Sequence, residues 1–198
     1  MDLQKVEGTK YYRWTEPTLI IKKLNDNTSY ILYHQISNFK QNSDSIKIVS
    51  IEIPDRKSEY TDYIKDYRKE YVKYLENLRP EICKKDSGFN SMINAISYLN
   101  DNLIMIYKNF ILVGAIAYDI NDKSKDIIIS HIGVIDRRKG YGTFLMKELF
   151  KTAKILEYSV TATSNGYADD FYHSLGMKRI VDKPLGIYNI KSKYIGDL

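Results

Sequence analysis

The chain has 198 residues, 43% of them hydrophobic, and a formal net charge of +5. That is enough apolar material for one compact domain with its own core. No apolar run approaches the ~18 residues of a membrane span, the first residues are polar, and the single cysteine, Cys83, has no partner for an internal disulfide. These features point to a cytoplasmic protein with no membrane association. The 18 tyrosines fall mostly at spacings expected of half-buried packing, and no RNA-binding module organises them. The excess of basic residues is spread over solvated segments, so nucleic acid is not the expected partner.

In chain order, 17–24 and 28–36 read as strands around the turn-like Asn25-Asp26-Asn27, and the polar stretch 38–45 reads as a loop. Residues 46–53 alternate as a strand that Pro54 ends. Ser58 is placed to cap a helix in which Tyr60, Ile64, Tyr67, Tyr71, Tyr74 and Leu78 recur at helical spacing, ending before Pro80. A second helix is expected over 89–99. Strands follow at 103–107 and 111–120, joined by a turn at Lys108-Asn109. Asn121-Asp122-Lys123-Ser124 makes the next hairpin turn, leading into a central strand over 126–135. A helix over 142–155 presents Leu145, Leu149, Thr152 and Ala153 on one face. A strand at 157–163, a short helix at 167–174 and strands at 178–182 and 186–192 complete a mixed α/β pattern without internal repeats.

Between the central strand and its following helix stands Arg137-Arg138-Lys139-Gly140-Tyr141-Gly142-Thr143. The first turn of a helix has backbone N–H groups without intrahelical partners, backed by the positive end of the helix dipole, and so binds anions through the main chain. Gly140 and Gly142 allow close approach, while Arg137, Arg138 and Lys139 add positive charge. The run is neither a P-loop, since no lysine follows the second glycine, nor a dinucleotide fingerprint, whose third glycine is replaced by Leu145. A solvated surface turn could carry the same residues. The three histidines, His34, His131 and His173, are scattered and show no metal-ligand spacing.

This run resembles the acyl-CoA pyrophosphate signature of the GNAT (GCN5-related) N-acetyltransferase superfamily, Arg/Gln-x-x-Gly-x-Gly/Ala. Arg137, Gly140 and Gly142 take its defined positions, with Ile132 and Val134 as the alternating apolar residues before it. Downstream, Asn165, Ala168, Phe171, Tyr172, Leu175, Gly176 and Met177 resemble the family's second signature, with Met177 in place of the usual phenylalanine. The resemblance spans roughly 46–192 and is tight over 126–177. It implies a central, mostly antiparallel, splayed sheet flanked by helices over 46–198. Residues 1–45 would then form a strand-rich extension packed on that domain.

The same resemblance implies acetyl transfer from acetyl-CoA to a primary amine. The acceptor would be an amine-bearing small molecule, a peptide or a protein, and homodimerisation is common in the family. Backbone groups around Ile132 and Val134 would bind the pantetheine arm, and the 137–143 turn the pyrophosphate. Asn165 would hold the arm or cap the short helix. Tyr172 matches the family's tyrosine near the thioester sulfur, where it would protonate the departing thiolate; a core tyrosine is the bland alternative. Many relatives carry a glutamate base on the central strand, where this chain has Ser130-His131. His131 titrates near neutrality and is the candidate base, with Asp119, Asp136 or a water chain as alternatives. On a regular strand, His131 would face opposite Ile132 and Val134. A longer acyl-CoA or a non-catalytic acyl-CoA-binding module are the competing readings.

Overall fold

The structure, a computed structural model, describes residues 3–5, 12–14, 19–25, 28–41, 44–51, 59–78, 87–98, 101–108, 111–135, 137–181 and 185–196. Up to residue 64 it describes the backbone alone. The strands are β1 (Leu3–Lys5), β2 (Tyr12–Trp14), β3 (Leu19–Asn25), β4 (Thr28–Gln41), β5 (Asp44–Ile51), β6 (Asn102–Lys108), β7 (Ile111–Asn121), β8 (Asp126–Val134), β9 (Ser159–Ser164), β10 (Lys178–Val181) and β11 (Gly186–Ile190). The helices are α1 (Glu59–Leu78), α2 (Ser87–Ser97), α3 (Tyr141–Leu156) and α4 (Asp169–Ser174). Among the described residues, β1 pairs only with β2, and one large sheet runs β10-β11-β9-β8-β7-β6-β5-β4-β3. All its pairings are antiparallel except β8 with β9.

The loop expected over 38–45 is mostly strand. β4 continues to Gln41, and β5 begins at Asp44, its direct partner. Polar side chains hid this, because a ladder is held by backbone hydrogen bonds that an alternation rule does not register. Ser58, Pro80 and Asp136 lie outside the described residues.

The strands alternate between two cores. On β6, Ile104 and Ile106 face α3, while Leu103, Met105 and Tyr107 face α1 and α2. Helix α3 buries Tyr141, Leu145, Met146, Leu149, Phe150 and Ala153, a line at three- and four-residue spacing. Thr152, expected on that face, is only half-buried. On α1 the buried line is Arg68, Tyr71 and Leu75, with Val72 partly buried. The stripe read from the tyrosines is therefore turned to include a charge. The side chains of Tyr60, Ile64, Tyr67, Tyr74 and Leu78 lie outside the described ones.

Arg68 has no exposed surface, yet its guanidinium is satisfied. Nε donates to Ile96 O at 2.9 Å, Nη1 to Asp101 O at 2.6 Å and Nη2 to Ala95 O at 3.3 Å. It thereby caps carbonyls at the end of α2. Burial lowers its pKa to about 10, partly offset by Asp101, which still leaves it charged at neutral pH. Helix α2 lies so close to the sheet that a Cβ at Gly133 would collide with the backbone of Ser91 and Met92.

Candidate active site

The site begins where β8 loses a neighbour. Its antiparallel pairing with β7 continues to Val134 opposite Gly114, but its parallel pairing with β9 covers only Asp126–Ile129 against Ser159–Ala162. Beyond Ile129 no described strand occupies that edge, while β9 runs on to Ser164, paired with β11. The break coincides with a bulge. Tyr118 opposes Ile129 and Ala117 opposes His131, so Ser130 is the extra residue. Its hydroxyl donates to the Asp101 carboxylate, which ties the bulge to the segment that Arg68 holds. The Ser130–Asp101–Arg68 chain has no local sequence signal, since its members are far apart along the backbone.

The bulge keeps Ile127, Ile129, Ile132 and Val134 on the α3 side, with Ile132 and Val134 only half-buried. His131 lies on the opposite face, stacked on Tyr98 with ring centroids 5.8 Å apart and planes at 21°. Burial lowers its pKa below the usual 6.5. The imidazole is therefore largely neutral at pH 7 and able to accept a proton. Asp119, on β7, accepts from the Ile120 N–H at 2.9 Å.

From Val134 the chain turns sharply. The Ile135 N–H donates to Val113 O at 2.9 Å, Arg138 is left-handed at φ 62°, and Gly140 closes the turn at φ 82°. A φ of 82° favours glycine, which has no Cβ to crowd the backbone, so the second defined position of the motif serves the turn's conformation. No side chain caps α3 and no acidic residue stands in its first turn. The first intrahelical bond is from Phe144 N to Gly140 O at 3.0 Å, so the N–H groups of Tyr141, Gly142 and Thr143 precede the helical ladder. Arg137, Arg138 and Lys139 are exposed around them, and Arg137 Nη2 also donates to Ser87 Oγ at 2.8 Å, at the start of α2. An uncapped, positively charged helix start is suited to a phosphate group.

Helix α4 closes the other side. A Cβ at Gly142 would lie 3.2 Å from the Phe171 ring, so the small residue allows α4 to pack against the start of α3. Tyr172, next along α4, is 3% exposed, with its ring centroid 5.4 Å from Phe171 and 5.3 Å from Tyr188. Burial pushes its pKa up to about 12, so the phenol keeps its proton throughout the neutral range. Met177 is buried in the same core and fills the apolar slot.

Asn165 is exposed and does not cap α4, whose N-cap is Ala168 with no side-chain bond. Ser164 orders that turn instead. Its Oγ donates to Asp169 Oδ1 at 2.6 Å and accepts from the Gly166 N–H at 3.1 Å. Arg179 Nη1 pairs with Asp169 Oδ2 at 3.1 Å. The hydrogen bond from Ser164 holds the Asp169 carboxyl below its usual range. These residues were missed by sequence reasoning; the acidic first turn of α4 was the available signal.

Among the described residues, no group of three metal-ligating side chains occurs and no helix is long and apolar enough to cross a membrane. No family model and no curated protein sequence matches the chain. Solved acetyltransferase structures do. The chain resembles the catalytic domain of Tetrahymena GCN5 histone acetyltransferase, solved with coenzyme A, at 11% identity over 80% of this chain and 98% of that one, with a TM-score of 0.49. Arabidopsis thaliana Naa50, solved with a bisubstrate analogue, is 17% identical over 65% of this chain and 95% of its own, at TM-score 0.43. Nourseothricin acetyltransferase is 14% identical over 46% of this chain, at TM-score 0.42, and the match spans 65% of its length, less than two thirds.

Proposed function

We propose that the chain is a GNAT-type N-acetyltransferase that transfers an acetyl group from acetyl-CoA to a primary amine. The observation that carries this reading is the end of β8–β9 pairing at Ile129 and Ala162, on the strand that leads into an uncapped, cationic helix start. An open strand edge offers backbone donors and acceptors to an amide-bearing arm. The β8 edge at Ile132 and Val134 would take that arm, with Asn165 across from it. The N–H groups of Tyr141, Gly142 and Thr143, framed by Arg137, Arg138, Lys139 and Gly140, would take the diphosphate.

Acetyl-CoA supplies an acyl group already activated as a thioester. The protein's share is placement and proton handling. A backbone donor near Val134 polarises the carbonyl. Tyr172, kept protonated by burial, holds the proton for the sulfur side. His131, kept neutral by burial, accepts the amine proton from the opposite face of β8. The acceptor is an amine-bearing small molecule or a peptide or protein amine. Residues 1–45 act as a strand-rich extension of the domain at 46–198.

The deep burial of Tyr172 favours a second reading, an acyl-CoA-binding module without turnover. One experiment separates the two. The protein is incubated with acetyl-CoA and a panel of primary amines while free thiol and product mass are followed. Amine-dependent thiol release that Tyr172→Phe suppresses supports the transferase. Binding without turnover on any amine selects the second reading, and failure to bind CoA sinks both.

A further inference from the structure

The turn before α4 carries an aromatic side chain that the proposed chemistry leaves unused. Tyr167 is 92% exposed, the most solvent-open large apolar or aromatic side chain among the described residues. Its backbone mount is well defined. The 165–168 turn is held by Ser164 Oγ accepting from Gly166 N at 3.1 Å and by Asp169 N donating to Gly166 O at 3.4 Å. Asp169 is itself anchored to Ser164 and Arg179. The helix that follows this turn packs on the start of α3, because Phe171, four residues after Tyr167, lies against Gly142. The start of α3 thus carries Arg137, Arg138 and Lys139 beside it, and the turn that leads into the helix packed on it carries an uncovered phenol ring. Cations select phosphate, and an exposed π face selects a flat heteroaromatic ring. Together they suit a nucleotide better than an inorganic anion.

We propose that Tyr167 is a stacking platform for the adenine ring of the acyl-CoA, which makes it a determinant of selectivity for the nucleotide half of the cofactor. The inference rests on the acetyl-CoA reading above and goes beyond it, since the diphosphate turn and the open β8 edge require no adenine contact. Adenine lies beyond the diphosphate in CoA, on the side away from the arm, so a turn that grips the diphosphate leaves the ring outside it, within reach of a neighbouring exposed side chain.

Titration calorimetry on the full chain tests this with two probes, CoA and 4′-phosphopantetheine, which keeps the arm and lacks the adenosine. Tyr167→Ala weakens CoA binding roughly tenfold, the scale of one base–aromatic stack, and leaves 4′-phosphopantetheine unchanged. Tyr167→Phe keeps the wild-type affinity for both. Unchanged CoA affinity in Tyr167→Ala overturns the inference. Equal weakening of both probes also overturns it, because the residue would then be supporting the arm or the turn. If the wild-type protein binds no CoA, the acetyl-CoA reading itself fails, and the wild-type titration alone reveals that. The position is exposed, so an unchanged melting temperature verifies that the variants are folded.

Discussion

The two faces of β8 are built in different ways. Toward α3 and α4, the strand presents Ile132 and Val134, then runs into the glycine turn, with Tyr172 buried behind Phe171. Residues 132–143 of that face are contiguous, and α4 joins them through one close contact at Gly142. Toward α1 and α2, the strand presents His131 against Tyr98 and the Ser130 bulge against Asp101, with Arg68 buried beneath. That face is assembled from three separate parts of the chain, around residues 68, 98–101 and 130–131. A face encoded in one stretch can be recognised as a motif, whereas a face assembled from separate elements exists only once they pack. The proposed proton donor, Tyr172, belongs to the first face, and the proposed acceptor, His131, to the second. Burial pushes their pKa values apart, Tyr172 up and His131 down. That separation lets one hold a proton and the other accept one at the same pH.

Each face can be broken separately. Tyr172→Phe removes the donor and keeps the ring, so kcat falls by about 100-fold or more while CoA affinity measured by calorimetry stays put. Arg68→Met acts on the other face. It removes the guanidinium donor from the carbonyls of Ile96 and Asp101, leaves Ala95 O with the Tyr98 N–H, and lowers stability by about 3 kcal/mol in urea unfolding. Unfolding midpoints close to wild type would show that the guanidinium is not a structural anchor. Charge reversal at exposed Arg138 and Lys139 together weakens CoA binding roughly tenfold, and less so at high salt, without changing stability. An affinity insensitive to both the substitution and salt would move the diphosphate elsewhere.

The smallest effect is a pH profile. Burial depresses the His131 pKa, so its neutral form persists to lower pH than in a free imidazole. The acid limb of kcat/KM is then expected below pH 6.5, and disappears from the profile of His131→Gln. The stability contribution has the matching sign. Above the unfolded value near 6.5 the burial of His131 costs nothing in protonation, and as pH falls through that value the unfolded state gains a proton that the folded state resists. An acid limb at or above 6.5, or one that survives the substitution, would assign the base role to another group.

Much of the first face was legible in the sequence. The strand ending near 135, the turn at 137–143, the helix after it and the short helix with Tyr172 follow from alternation, glycine placement and helical spacing, all local properties. His131 facing away from Ile132 and Val134 was also legible, although the expectation assumed a regular strand. The Ser130 bulge preserves that outcome by keeping Ile129 and Ile132 on the same face. Less legible were the strand character of 38–41 and the burial of Arg68 in a tyrosine-rich helix. The former depends on a ladder with β5 and the latter on the open carbonyls at the end of α2. Both depend on partners elsewhere in the chain.

By itself, the sequence determined the mixed α/β order, the glycine that α3 needs at its start and the positive charge gathered there. Backbone conformation and charge are properties of neighbouring residues, and neighbours are what a sequence lists. Only tertiary structure decided that β8 parts from β9 at Ile129, that Ser164 rather than Asn165 orders the turn before α4, and that Tyr172 is sealed while Tyr167 stands in solvent. Strand separation and burial are set by what packs alongside, and that depends on side chains brought together by the fold.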